Sequence, residues 1–233
     1  EELYNIKVLD FGLVPHPQFD IFGASPDGIC DDIGNDDYIA RMVEIKCPPK
    51  RKFTKTVPEH YWMQMQGQLE VCDLDECDFF QVKIEEYENY EDYCNDKFEI
   101  DGIVQEGRTK LNYPKGVVAT YKKDEKLSYK YCPLNKTNEE IELWVSGHKF
   151  NENFYEIKWW KIERYECTLV IRDKEWWLSN LENVLLFYKD LQFYKDDNNI
   201  EILKEKIKLQ KKKKKRFEIK PLQEFLLDSD NED

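Results

Sequence analysis

Apolar and polar residues alternate in short runs over the first part of the chain. Phe19-Asp20-Ile21-Phe22-Gly23 predicts a short strand that leads into the turn Ser25-Pro26-Asp27-Gly28. Ile29-Cys30 begins a second strand. Residues 31–37, with Gly34-Asn35, have hairpin-loop chemistry, and residues 38–46 form the returning strand, stopped by Pro48-Pro49. From Pro58 or Glu59 to about Cys72 the period changes. Tyr61, Met65 and Leu69 recur at helical spacing, Trp62 adds apolar area, and Gln64, Gln66 and Gln68 form an unusual glutamine set. Residues 76–87 return to a partly alternating strand. Strand, turn, strand, helix, strand predicts an α/β (α+β) core with a central mixed β-sheet flanked by helices.

Residues 88–151 are acidic, Tyr-rich and Lys-rich in turn, with weak periodicity, and read as an inserted subdomain with short strands. Residues 154–172 predict two strands rich in β-branched and aromatic residues. Asp173 is a candidate N-cap for a helix to Tyr194, with Trp177, Leu181, Val184, Leu185, Tyr188 and Leu191 at helical spacing. A further helix spans residues 200–209 and runs into a lysine block. The expected organisation is a core segment over 1–87, an insertion over 88–151, strands and helices completing the core over 152–210, and a flexible basic block with an acidic tail over 211–233.

Composition narrows the class. Of 233 residues, 41% are hydrophobic and 14% aromatic, so a folded protein is expected despite 36% charge. No apolar run reaches the roughly 20 residues that cross a bilayer, and no secretory signal is visible, so an intracellular protein without a membrane partner is expected. Seven cysteines at irregular spacing suit a reducing compartment better than a disulfide framework. The net charge of -13 alone argues against nucleic acid. The distribution argues otherwise. Lys46, Lys50, Arg51, Lys52 and Lys55 cluster in one stretch, and Lys211 to Arg216 are six consecutive cations. For that block, phosphate contact, nuclear targeting and solubility are equal readings. The tryptophans Trp159, Trp160, Trp176 and Trp177 read as core before they read as a base-stacking platform.

The chemistry lies in Asp27 on the turn and in Met42-Val43-Glu44-Ile45-Lys46. A strand sends Glu44 and Lys46 to one face, with Val43 and Ile45 on the other. Two charges on one face of an apolar strand are costly without a partner or a task. Two carboxylates near one ammonium suit a hard divalent cation, Mg²⁺ or Mn²⁺, with Asp27 and Glu44 each giving an oxygen and the Ile45 carbonyl a third. Lys46 can orient or deprotonate a water, or neutralise a phosphate. Gln64 and Gln66 lie about 200° apart on a helix, and Gln66 is expected to be the inner of the two. If the substrate is DNA, the residues expected to contact it are Ser25, Lys50, Arg51, Lys52, Lys55 and Tyr61.

FGASPDGI, VEIKCP and YWMQMQGQLEV, in this order, resemble the phage lambda exonuclease or YqaJ-type viral recombinase family of the PD-(D/E)xK superfamily. VIRDKEWW and the aromatic helix after it resemble versions carried by large DNA viruses. The resemblance implies a restriction-endonuclease-like core and a Mg²⁺-dependent exonuclease that digests one strand of linear double-stranded DNA, 5′ to 3′, in recombination, repair or replication. It implies Asp27 and Glu44 as metal ligands, Lys46 as the catalytic lysine and Gln66, with Gln64, as active-site amides. It further implies a single-strand annealing protein as partner, a homo-oligomer, and work in the host cytoplasm or nucleus. Family members carry another glutamate on an upstream helix, and Glu1-Glu2-Leu3-Tyr4 reads as the end of that helix. Two alternatives stay open: a structure-specific or sequence-specific endonuclease of the same superfamily, and an inactive DNA-binding or scaffold remnant.

Overall fold

The computed structural model describes residues 1, 3–48, 53, 56–196 and 199–216, the last six as backbone. The chain divides into two compact units. One comprises Glu1–Glu44, Lys50–Phe79 and Thr168–Asp233, the other Ile45–Pro49 and Phe80–Cys167. The mixture of strands and helices is the expected α+β class.

In the first unit, β1 (Ile6–Leu9), β4 (Gly28–Gly34), β5 (Met42–Lys46) and β6 (Glu76–Glu86) are neighbours in that order. β1 and β4 pair antiparallel, as do β4 and β5. β5 and β6 are joined through the helix α1 (Glu59–Cys72), the crossover that a mixed sheet requires. The short strands β2 (Val14–Pro15) and β3 (Gly23–Ala24) form a separate ladder. The apolar side chains of α1 meet the sheet: Met65, Leu69, Met42, Cys77, Phe79 and Val170 are buried together. Full burial of a Met or Leu side chain contributes about 1.5–3 kcal/mol.

Gly28 closes the turn without a positive φ, and its role is spatial. A Cβ at Gly28 would stand 2.1 Å from Cγ1 of Val8, so only glycine lets β1 lie against β4 here. The strand predicted over residues 19–23 is replaced by a tight turn. His16 Nδ1 accepts from the backbone N–H of Gln18 and of Phe19, and the His16 N–H donates to the Phe22 carbonyl. This leaves only Gly23–Ala24 extended. Leu3 to Asn5 form a turn rather than a helix end.

The second unit contains α2 (Tyr90–Asn95), β7 (Phe98–Ile100), β8 (Ile103–Gln105), β9 (Lys115–Lys123), β10 (Lys126–Tyr131), α3 (Asn138–Lys149) and most of β11 (Phe154–Ile171). Here the strand order is β6, β11, β9, β10. Tyr93, Val117, Cys132, Ile141 and Val145 form its core, with Ile157 and Trp159 packed against it. Residues 154–171 form one strand where two were predicted. FYEIKWWKIERYECTLVI contains no Gly, Pro or Asn to break it. α3 starts at a capping box, Thr137 with Glu140, each side chain bonding the other's backbone N–H.

The chain returns to the first unit with α4 (Lys174–Lys195) and α5 (Ile200–Arg216). Asp173 caps α4 as predicted, its Oδ1 accepting from Trp176 N–H. Trp177 is buried against His16 and Phe22, and reaches Gly67 of α1. Beyond Trp177 the predicted stripe of α4 stays partly exposed, with Val184, Tyr188 and Leu191 each near two-fifths. No helix among the described residues is long and apolar enough to cross a membrane.

Candidate active site

Glu44 is the centre of the site. The alternation of β5 turns Met42 and Glu44 toward α1, and Glu44 is 2% exposed. A carboxylate so far from water needs hydrogen-bond donors. It has two from one face of α1. Gln64 Nε2 donates to Oε1 at 2.7 Å and Gln68 Nε2 donates to Oε2 at 3.0 Å. Residues four apart on a helix differ by about 40° in direction, so the two amides reach the carboxylate side by side.

Gln66, expected to be the inner amide, points elsewhere. Its Nε2 donates to the Ile171 carbonyl at 3.0 Å, and its Oε1 accepts from the Asp173 N–H at 2.6 Å. It joins α1 to the end of β11 and the start of α4, and it is 1% exposed. The physical reason is the same helical geometry: about 200° from Gln64, Gln66 cannot share its direction. Gln68 is the residue that sequence reasoning passed over. The signal was its four-residue spacing from Gln64.

Asp27 comes from the turn between β3 and β4. The ladder pairs Gly28 with Val43 and Ile29 with Met42. One step further along that register, Asp27 and Glu44 stand opposite each other. Directly opposed residues of an antiparallel pair have Cβ atoms about 4.5–5.5 Å apart and share a face. Pro26 and Gly28 on either side are buried and Asp27 is exposed, so the turn is anchored at both of its neighbours. Lys46 lies two residues beyond Glu44 on β5, on the same side of the strand, and is half-buried. Ile45 between them is 43% exposed on the other side. Among the described residues no three His, Cys, Asp or Glu side chains form a metal-holding group. The donor set here is two carboxylates.

Of the residues expected to contact DNA, Ser25 is exposed beside Asp27. Tyr61 is half-buried, its ring 5.5 Å from that of Phe79 and 4.1 Å from that of His60. Lys50, Arg51, Lys52 and Lys55 lie outside the described residues, as do the side chains of Lys211 to Arg216 and the acidic tail.

Comparison with known proteins bears on these same residues. Over 225 residues the chain is 30% identical to Uncharacterized protein R354 of Acanthamoeba polyphaga mimivirus, covering 84% of this chain and 41% of that protein. The chain therefore spans less than half the length of that curated relative. Two solved structures are similar at 20% identity, over 88% of this chain and 64% of theirs. They are an alkaline exonuclease (LHK-Exo) from Laribacter hongkongensis, with a TM-score of 0.40, and LHK-Exo in complex with dAMP, with a TM-score of 0.37. Residues 1–75 match the YqaJ-like viral recombinase domain. That stretch includes Asp27, Glu44, Lys46, Gln64 and Gln68.

Proposed function

We propose that the chain is a metal-dependent deoxyribonuclease that hydrolyses phosphodiester bonds of linear double-stranded DNA from an end. The observation that carries this reading is the buried Glu44 carboxylate, gripped by two amides and set by the β4–β5 register across from Asp27. Two neutral amides on one helix face orient it. The match of residues 1–75 to the YqaJ-like viral recombinase domain supports DNA as the substrate.

The residues fit Mg²⁺ or Mn²⁺. These ions take hard oxygens, and Mg²⁺ commonly uses one or two carboxylates and fills its shell with water and substrate phosphate. Asp27, Glu44 and the Ile45 carbonyl would hold the ion. When bound, it supplies a more acidic water and offsets charge on the phosphate. The chain's own residues do the rest. Gln64 and Gln68 fix the Glu44 carboxylate. The Lys46 ammonium neutralises the phosphate or orients the attacking water. Digestion would proceed 5′ to 3′ and leave single strand for an annealing partner.

End-labelled linear duplex and a covalently closed plasmid, each with and without Mg²⁺, test the reading. The expected result is loss of label from the linear duplex only, and only with the ion. Cutting of the closed plasmid would make the protein an endonuclease with the same site. Cleavage indifferent to EDTA would remove the metal from the account.

A further inference from the structure

We infer that His16 is a positioning residue for Asp27. Its Nδ1 atom holds the turn that sets Asp27 across from Glu44, and through Asp27 it governs metal affinity. This role rests on the nuclease reading, to which it adds a residue that is no ligand. All the parts lie in the first unit.

The hairpin upstream of Asp27 is weak by itself. β2 and β3 share two residue pairs, Val14 with Ala24 and Pro15 with Gly23. Pro15 has no N–H to give the ladder, and Pro17 removes another donor from the turn. A two-stranded hairpin is marginal in water even when it is longer. The His16 side chain supplies what the ladder lacks. Nδ1 accepts from the N–H of Gln18 at 3.0 Å and from that of Phe19 at 3.3 Å. The Phe19 carbonyl accepts from the Phe22 N–H, and the Phe22 carbonyl from the His16 N–H, each at 3.0 Å. These bonds close residues 16–22 and bring Gly23 onto Pro15.

Asp27 follows at once. Only Ser25 and Pro26 separate it from Ala24. Ala24 and Pro26 are buried, and the proline ring fixes its own φ at about −65°. Ala24 on one side, and Gly28 paired with Val43 on the other, therefore set where Asp27 stands. One end of that span depends on the β4–β5 ladder and the other on His16.

The two nitrogens of the ring have different tasks. Nδ1 accepts hydrogen bonds, so the proton is on Nε2. His16 is 8% exposed, and Nε2 has no hydrogen-bond partner among the described residues. The rest of the ring packs. It meets Phe19 edge-on with centroids 5.1 Å apart, and lies within 16° of parallel to Trp177 of α4 at 6.5 Å. An asparagine can take over the first task, since its Oδ1 stands where Nδ1 does and accepts from the N–H two residues on. A phenylalanine can take over only the second.

The test is Mn²⁺ binding to the full chain, read from the electron paramagnetic resonance of the free ion, beside the melting temperature without metal. His16→Asn should keep the wild-type Kd and lower the melting temperature. His16→Phe should raise the Kd about tenfold or more, with the smaller loss of melting temperature. His16→Gln carries its acceptor one carbon too far and should raise the Kd like His16→Phe, which covers a phenylalanine variant that does not fold. In an Asp27→Asn background, His16→Phe should leave the Kd where Asp27→Asn alone puts it, because the effect passes through Asp27. A packing role alone would make His16→Asn the weakest binder of the three, and that order overturns the inference. An unmoved Kd in both His16→Phe and His16→Gln overturns it too, and leaves the nuclease reading standing. A wild type that takes up no Mn²⁺ removes both.

Discussion

Gln68 donates from Nε2 to the Oε2 atom of Glu44, 3.0 Å away and 24 residues earlier in the chain. With Gln64 on the other oxygen, the carboxylate is fixed from one side by a single helix face. Partners that orient a metal ligand commonly contribute about 10- to 100-fold in metal affinity. Gln64→Leu and Gln68→Leu should therefore each raise the Mg²⁺ concentration for half-maximal cleavage by about that factor, with a smaller effect on the rate at saturating ion. A Mg²⁺ titration of each variant measures it. Identical midpoints in both variants would remove the orienting role.

Asp27, Glu44 and Lys46 have direct roles in the proposed chemistry. Asp27→Asn, Glu44→Gln and Lys46→Ala should each lower cleavage of linear duplex by about 10² to 10⁴. Circular dichroism should stay native for Asp27→Asn, since Asp27 is exposed. Glu44→Gln keeps the volume of a buried side chain and tests charge without opening a cavity. Near-normal rates in all three would falsify the nuclease reading.

Gln66 makes the contrasting case. Its amide spans Ile171 O and Asp173 N, and so ties α1 to the start of α4. Replacing it with Leu leaves two backbone groups unpaired in a buried place, which costs about 2–4 kcal/mol of stability. Urea unfolding should show that loss, and the Mg²⁺ midpoint of the surviving folded enzyme should not move. A raised Mg²⁺ midpoint with unaltered stability would return Gln66 to the site.

The legibility of this site follows the reach of each interaction. Glu44 and Lys46 were readable because a strand has a period of two, and β5 obeys it. The β4–β5 pairing was readable from the turn chemistry around Gly34 and Asn35. The choice among three glutamines was not, because it depends on which face of α1 meets β5. The four-residue step from Gln64 to Gln68 held that information in part. The strand expected over residues 19–23 was lost to a local competitor, the His16 side chain, which bonds two backbone N–H groups in the turn after it. In residues 88–151 the periods are weak because β9 is buried on both faces over most of its length while β10 is exposed throughout, so neither strand alternates. The helix α3, which starts at the capping box of Thr137 and Glu140, was missed by the reading of this stretch as short strands.

Lys115 gives a prediction of pH dependence with a definite sign. It is 1% exposed, its Nζ donating to the carbonyls of Tyr93 and Asp96 and lying 4.0 Å from the Tyr93 ring centre. Burial draws its pKa down to about 8, against the opposing pull of Asp96, Cys94 and Glu106 and with help from Lys97. In the unfolded chain a lysine titrates near about 10.4. Between those values the unfolded chain holds a proton that the folded chain lacks, so stability rises with pH. Below pH 8 both states are protonated and the full cost of burying the ammonium is present. Above about 10, Tyr87 and Tyr93, whose pKa values burial raises, act in the opposite direction and close the window. Urea unfolding at intervals from about pH 7.5 to 9.5 should therefore show the wild type gaining roughly 1–2 kcal/mol relative to Lys115→Met. The Met variant also loses the two carbonyl contacts, but that loss is the same at every pH. A constant difference across the range would mean that Lys115 keeps its proton throughout, and that its carbonyl contacts offset the burial in full.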